Sequence, residues 1–516
     1  MRVCFISIET VPKVTAKAAK LFGKTFGTFL LSTCLKRALP MMILVSKDMP
    51  LIMEVMQRNN VRTAFVILLL TLAVVAPVIA SGYSELKKAQ AASSSFESAE
   101  HYRAAAVRLP WRPDLYERAG HDYYSAKEYA SAEAAYQQAF ERDALSPDGW
   151  WSWGDVVYLN GDTERAVDIW EQGLEQPLHS EKLYLRLAGI CRQDREYPKA
   201  AQYLRRYVEI ASGDASAHYH LGLLLTLSDP QEAFSELTYA SQLDPQFDPV
   251  VQTLRTALNL ASINDSLSER FVIIGRGLGL ISEWELALAA FEEAVRADGE
   301  NAEAWAWLGE ADQHTGGNEA LIHLDRALDL NPVSSIVRSL RGLYFQRTGN
   351  HREALKEFQS AARLEPENPA LFVSLGDAYA TTGDLILGLQ AYQKAATLAP
   401  GDVQYWLLLA AFCAENNINL NDVGIPAAQK AVELSPKDAH TLDVLGWTYS
   451  LAGMYSEAQQ ALQQALAQDP QYASAHFHLA VVYLQMDDRV SAFGHFIHAR
   501  DLGSVEADAA LKQYFP

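Results

Sequence analysis

Apolar residues follow three different rules in three stretches of the chain. Over residues 63–80 they are continuous: TAFVILLLTLAVVAPVIA has no polar face, and no charge occurs from 63 to 84. From 113 to 504 they recur with helical spacing, punctuated at a fixed interval. Before residue 62 no period is sustained, and short runs such as 29–31 and 41–45 are broken by Lys24, Lys36, Arg37 and Lys47.

The punctuation is clearest at Pro332, Pro366, Pro400, Pro436 and Pro470, spaced 34, 34, 36 and 34 residues apart. A constant interval of this size marks one supersecondary unit stacked many times. Within 439–470, Leu442, Leu445, Gly446 and Tyr449 share one helix face at i, i+3, i+4 and i+7. After a break at Gly453 and Met454, the residues Ala458, Leu462 and Ala465 form a second face. Pro470, with no amide to donate, ends that helix. Two helices and a short turn make a hairpin. Gly446 and Ala458 are small where the two axes approach. One hairpin cannot bury both of its faces, so neighbours must stack.

The order of residues (bulky, Leu, Gly or Ala, Tyr, then Ala, aromatic or Leu, Ala, Pro) resembles the tetratricopeptide repeat family. Tyr116, Ala119, Gly120, Tyr123, Ala132, Tyr136 and Ala139 form the first copy, and Trp150, Trp153, Gly154, Ala166 and Trp170 begin the second. The sixth runs from Trp305, Leu308 and Gly309 to Pro332, and the last from His476, Leu479 and Ala480 to Ala499. About eleven copies fit. The resemblance implies an all-α fold, an α-solenoid coiled as a right-handed superhelix of tetratricopeptide hairpins. It also implies a protein-interaction scaffold, with partners held against a concave groove of first helices at repeat positions two, five, nine, twelve and thirteen.

Three departures from the period predict extra elements. Residues 98–107 fit a lone second helix. A surplus helix at 249–261 divides the repeats into one sub-array at 98–247 and another at 269–503, with 248–268 between them. At the end, Ser504 caps a helix through Tyr514 that covers the last repeat, making 504–516 a capping element.

Charge changes the picture at the N-terminal end. Residues 1–62 carry ten Lys or Arg against three Asp or Glu, whereas the rest of the chain holds 33 basic and 60 acidic residues. The 22 uncharged residues at 63–84 would span about 33 Å as a helix, enough to cross a bilayer core. We read them as a single N-terminal transmembrane helix after a basic flank (1–62) and before a Ser/Ala-rich linker (85–97). Pro77 is tolerated near its far end, and Tyr83 stands where an interfacial aromatic anchors a span. The basic excess places the flank in the cytoplasm and the repeats outside it, although Arg58 and Arg62 are locally balanced by Lys87 and Lys88. Small residues at Val78 and Ala80 also suit a signal peptidase, so a secreted product is the alternative; the length of the run favours an uncleaved anchor. Met49, Met53 and Met56 are candidate true starts, which would make the first fifty residues an extension.

Composition narrows function. With 49% hydrophobic residues the chain folds, and a formal net charge of −20 argues against binding nucleic acid, which needs a basic face. Four cysteines without a Cys-x-x-Cys pair make no disulfide framework or zinc motif. Gly275, Gly277 and Gly279 have phosphate-loop spacing but no preceding strand and no Lys-Ser/Thr. Cys191 and Cys413 take a position that Tyr occupies elsewhere and read as core. His476, His478, His495 and His498 are close enough in sequence for a metal, but His476 is at a packing position and the others are expected on different faces. Neither catalytic residues nor a cofactor or metal site is predicted, and the chain is not read as an enzyme.

The candidate partner-binding residues are therefore groove positions: Glu117 and His121 in repeat one, Asp148, Trp151, Asp155 and Tyr158 in repeat two, Lys182 and Arg186 in repeat three. Lys182 and Arg186 resemble half of the clamp by which family members hold a terminal carboxylate. Glu117 and His121 stand where its other half belongs, so that ligand class is not expected. Trp151 is surplus to packing beside Trp150 and Trp153, and an aromatic among acids suits a basic, partly apolar peptide or a stacked sugar ring. Two readings follow: a membrane-tethered interaction scaffold, or a non-catalytic accessory subunit of an envelope enzyme or polysaccharide-export machinery. The charge asymmetry predicts that an alkaline-phosphatase fusion after residue 95 is active and a cytoplasmic reporter there silent; the opposite pattern would place the repeats inside.

Overall fold

The structure is a computed structural model that describes residues 49–515, with side chains described at Ala64 and from Val66 onward. The basic segment at 1–48 lies outside the described residues. Among the described residues there are 26 α-helices and no strand. From Asp114–Ser125 paired with Tyr129–Phe140 to Ala473–Gln485 paired with Arg489–Asp501, the helices form eleven successive hairpins.

Each hairpin closes on the small residue that the pattern places in its first helix. A Cβ added to Gly120 would lie 2.8 Å from the Tyr136 ring, and one at Gly342 would lie 2.7 Å from that of Phe358. Gly222 faces Leu237 and Gly446 faces Leu462 in the same way, at 2.7 and 2.5 Å. In these repeats the second helix thus lodges a large side chain in the notch that the missing Cβ leaves open. Helix starts are capped as their sequences imply; Asn301, for example, accepts from the amides of Glu303 and Ala304.

The chain divides into two compact units, Met1–Ile169 and Trp170–Pro516, with the boundary inside the helix Thr163–Leu174. In the first unit, helix Met49–Ala91 runs without interruption past Pro77. The linker expected at 85–97 is therefore mostly helix, because 79–91 has a partner. Gly82 admits Leu109, Ile79 and Leu86 pack on Ala105 and Ala106, and the Ser98 hydroxyl donates to the Ala89 carbonyl at 3.1 Å. The helix Ser95–Arg108 is accordingly not a lone second helix: the end of the long apolar helix is its first.

In the second unit, helix Asp248–Ser262 occupies the surplus stretch. It does not separate two sub-arrays. Val251, Leu254, Leu258 and Ala261 join one continuous core that runs from Ala188 to Ala311. It also coincides with a bend. Repeats two apart in a regular stack are kept apart by the one between, yet here the hairpin turns of repeats three and five touch. Arg192 donates to Glu283 at 2.6 Å, Arg195 to Glu292 at 2.7 Å, and the Tyr197 hydroxyl to the Glu285 carbonyl at 3.3 Å. At the C-terminus, Ser504 accepts from the Ala507 amide, and Ala507, Ala510 and Leu511 cover Ala480, Ala492 and Phe496.

Gly446→Leu should lower the urea midpoint while leaving the helical signal of the folded state intact. The Cβ alone would sit 2.5 Å from Leu462, an overpacking cost of about 1–3 kcal/mol or more. Equilibrium unfolding followed by circular dichroism checks this, and an unchanged midpoint would refute the notch.

Candidate functional site

The first helices of repeats one and two carry six of the eight expected residues. In Asp114–Ser125, Tyr116, Ala119, Gly120 and Tyr123 face the core, which leaves Glu117 and His121 on an adjoining face. That face is not open groove. Glu117 is only 8% exposed and braces the next repeat. Its Oε2 accepts from the Ser146 amide at 2.8 Å, and its Oε1 accepts from the Ser146 hydroxyl, which itself caps the Gly149 amide. His121 is held between Glu117, at 3.3 Å, and the Tyr136 hydroxyl, at 2.8 Å. Burial opposes ionisation of Glu117, but the hydrogen bonds from His121 and Ser146 outweigh it and hold the carboxyl below its usual range.

Helix Pro147–Leu159 sorts the remaining four. Trp150 and Trp153 are buried against Phe140, as their packing positions require. Asp155 is buried too, 4% exposed, so it is withdrawn from any ligand. Asp148 is exposed, while Trp151 and Tyr158 are half-buried. Lys182 and Arg186 are exposed on the helix Lys182–Gln193 of the second unit.

Acids on first helices recur as clamps between successive repeats, a role that repeat position alone did not reveal. Glu310, 4% exposed, receives both terminal nitrogens of Arg347 at 2.8 Å. Asp443, 2% exposed, holds Ser474 and His478, each at 2.8 Å. Glu357, on a second helix, instead ties its own hairpin together, binding Arg338 at 2.9 Å and also Arg341. The sequence signal was an acid and a base about one repeat apart on facing helices.

The other chemical candidates resolve into packing. Gly275 admits the Phe291 ring, Gly277 the methyl of Ala257 on the surplus helix, and Gly279 the indole of Trp284. Cys191 and Cys413 are buried, and burial pushes the Cys413 thiol up to about 11, far from a nucleophile's range. The histidines differ from expectation. His495 and His498 share one face, as i, i+3 spacing dictates, and both rings meet His476, whose Nδ1 is 2.9 Å from that of His495. Burial, with His476 and His498 adjacent, drives His495 down to about 4. His478 lies apart, on Asp443.

One further concavity was not foreseen. The bend between repeats three and five encloses a cavity of about 530 Å³, lined by Tyr197, Leu224, Leu227 and Phe271 and rimmed by the Arg195–Glu292 pair. Its charges are matched within the chain.

Models described as "Tetratricopeptide repeat" match residues 117–181, 281–316 and 339–403, and one described as "TPR repeat" matches 446–487. "Superkiller complex protein 3" of Mus musculus is 24% identical over 284 residues, 53% of this chain and 17% of that protein. A "TPR repeat-containing protein" of Treponema pallidum is 26% identical over 381 residues, 69% of this chain and 41% of its own length. The chain thus spans less than half the length of either relative. The crystal structure of yeast Tom70 aligns over 86% of this chain and 95% of its own at 16% identity, with a TM-score of 0.35. With its hairpin stack and helix-notch residues, the chain carries tetratricopeptide repeats in an all-α solenoid, an architecture that generally serves as a protein-interaction scaffold.

The Glu117 brace has a pH signature. A carboxyl held below its unfolded value of 4.5 contributes stability above that pH and loses it as the pH falls through the folded value. The melting-temperature advantage of wild type over Glu117→Gln should be full near neutrality and shrink below pH 4.5. A pH-independent gap in thermal scans would count against the brace.

Proposed function

We propose that the protein is a membrane-tethered scaffold that captures a basic, partly apolar protein segment on the first helices of its N-terminal repeats. The observation that carries the reading is Trp151. Its neighbours Trp150 and Trp153 are 6% and 5% exposed and complete the packing, while Trp151 and Tyr158 stay half-open beside exposed Asp148. Partly exposed aromatic side chains are favoured anchors for a partner, and a net acidic chain steers a basic one.

Tethering is supported by the exposed apolar surface of the long helix. Within Val66–Ala91 an 18-residue window reaches a mean hydropathy of 2.3, and Leu70 and Val74 are 62% and 69% exposed. A lone helix bearing such side chains on every side suits lipid better than water. Cleavage after Ala80 would sever a helix that is continuous through it and strip Ile79 from the core it packs on. That favours an uncleaved anchor, and the basic flank favours repeats outside the cytoplasm.

The decisive variant uses surface positions only, since Asp155→Lys would bury a lysine. Trp151→Ala with Asp148→Lys should leave helicity and melting nearly unchanged yet weaken capture of a basic-apolar peptide by roughly tenfold or more. Added salt should weaken the wild type as well. Fluorescence anisotropy with a labelled peptide library measures both effects; undiminished capture would place the site elsewhere.

A further inference from the structure

We propose that the segment just after helix Ser95–Arg108, with Trp111 and Val107 at its tip, is a docking surface for the lipid headgroup zone beside the membrane helix. The inference rests on the tethered reading above. It comes from a conflict over the residues 79–83. A helix from 64 to 78 covers only about 22 Å, short of a hydrocarbon core of about 30 Å, so the bilayer also requires residues up to about 83. The first hairpin claims the same residues: Ile79 packs on Ala105, Ala106 and Leu109, and a Cβ on Gly82 would lie 2.7 Å from the Leu109 side chain and 3.0 Å from that of Arg108. Both demands are met only if the chain around Leu109 lies at the membrane surface.

The side chains there suit that level. Leu109 is fully buried, while Val107 and Trp111 on either side of it are 68% and 51% exposed. Arg108 is at the same level, and so is Arg112, paired with Asp114 at 2.8 and 2.7 Å. Exposed indole, a phenol at the end of the span and guanidinium groups on apolar stems are the set that partitions into an interface. The helix Ser95–Arg108 runs back toward the membrane, so its start, with Glu97 and Glu100, lies about 20 Å farther out. Val107, Trp111 and Arg108 therefore stand at the near end of this helix, with Glu97 and Glu100 at its far end.

The test uses the full chain in vesicles of phosphatidylcholine and phosphatidylglycerol, with or without lipids brominated just below the glycerol region. Bromine should quench wild-type tryptophan emission more than that of Trp111→Phe, by the share of one indole among the ten in the chain. Equal quenching in a protein that resists carbonate extraction would overturn the docking surface and leave the anchor standing. Extraction by carbonate would overturn both. Val107→Asp with Trp111→Asp provides an independent arm: protease cleavage after Arg108 or Arg112 should become several-fold faster in vesicles but not in detergent. No change in vesicles would overturn the proposal.

Discussion

Everything in the repeats depends on how closely two helices of one hairpin can approach. At one position of the first helix a glycine recurs, and the second helix presses a side chain against it: Tyr136 on Gly120, Phe291 on Gly275, Leu324 on Gly309, Tyr392 on Gly376. The distance left would not admit a methyl group. This contact sets the angle within a hairpin, and the face it leaves uncovered determines how the next hairpin must lie. Stacking then buries what a single pair of helices would expose to water.

Polar residues obey a second constraint imposed by the first. Hairpins packed this closely bring the first helices of neighbouring repeats side by side, and a carboxylate between them must find donors or lose its charge. Glu117, Glu310 and Asp443 each find theirs one repeat along, in Ser146, Arg347 and His478. The acidity of the chain is thus partly spent inside the stack. On repeat two, Asp155 is buried while Asp148 is exposed and Trp151 and Tyr158 are half-buried, so the acid cluster that repeat positions alone suggest is not presented as one surface.

Two irregular elements shape the rest. The surplus helix Asp248–Ser262 is absorbed into the core and accompanies a bend that joins the turns of repeats three and five through Arg192 and Glu283. The long helix Met49–Ala91 ends as half of the first hairpin, so the first unit has no flexible spacer between its apolar stretch and its repeats. On the tethered reading, that geometry ties the orientation of the first unit to that of the membrane helix.

Local regularities were legible without coordinates. The 34-residue interval, the glycine–aromatic pairs, the proline stops, the surplus stretch and the uncharged run all depend on neighbours within a turn or a hairpin, where spacing alone determines who meets whom. The contacts that sequence could not supply join residues far apart: Glu117 with Ser146, Arg192 with Glu283, Gly82 with Leu109, Gly277 with Ala257. So Gly275, Gly277 and Gly279, which share only the spacing of a phosphate loop, admit neighbouring side chains, and Asp155, expected to face a partner, is buried. Periodicity decides which side of a helix is apolar; only the packed neighbours decide whether its polar side is surface or seam.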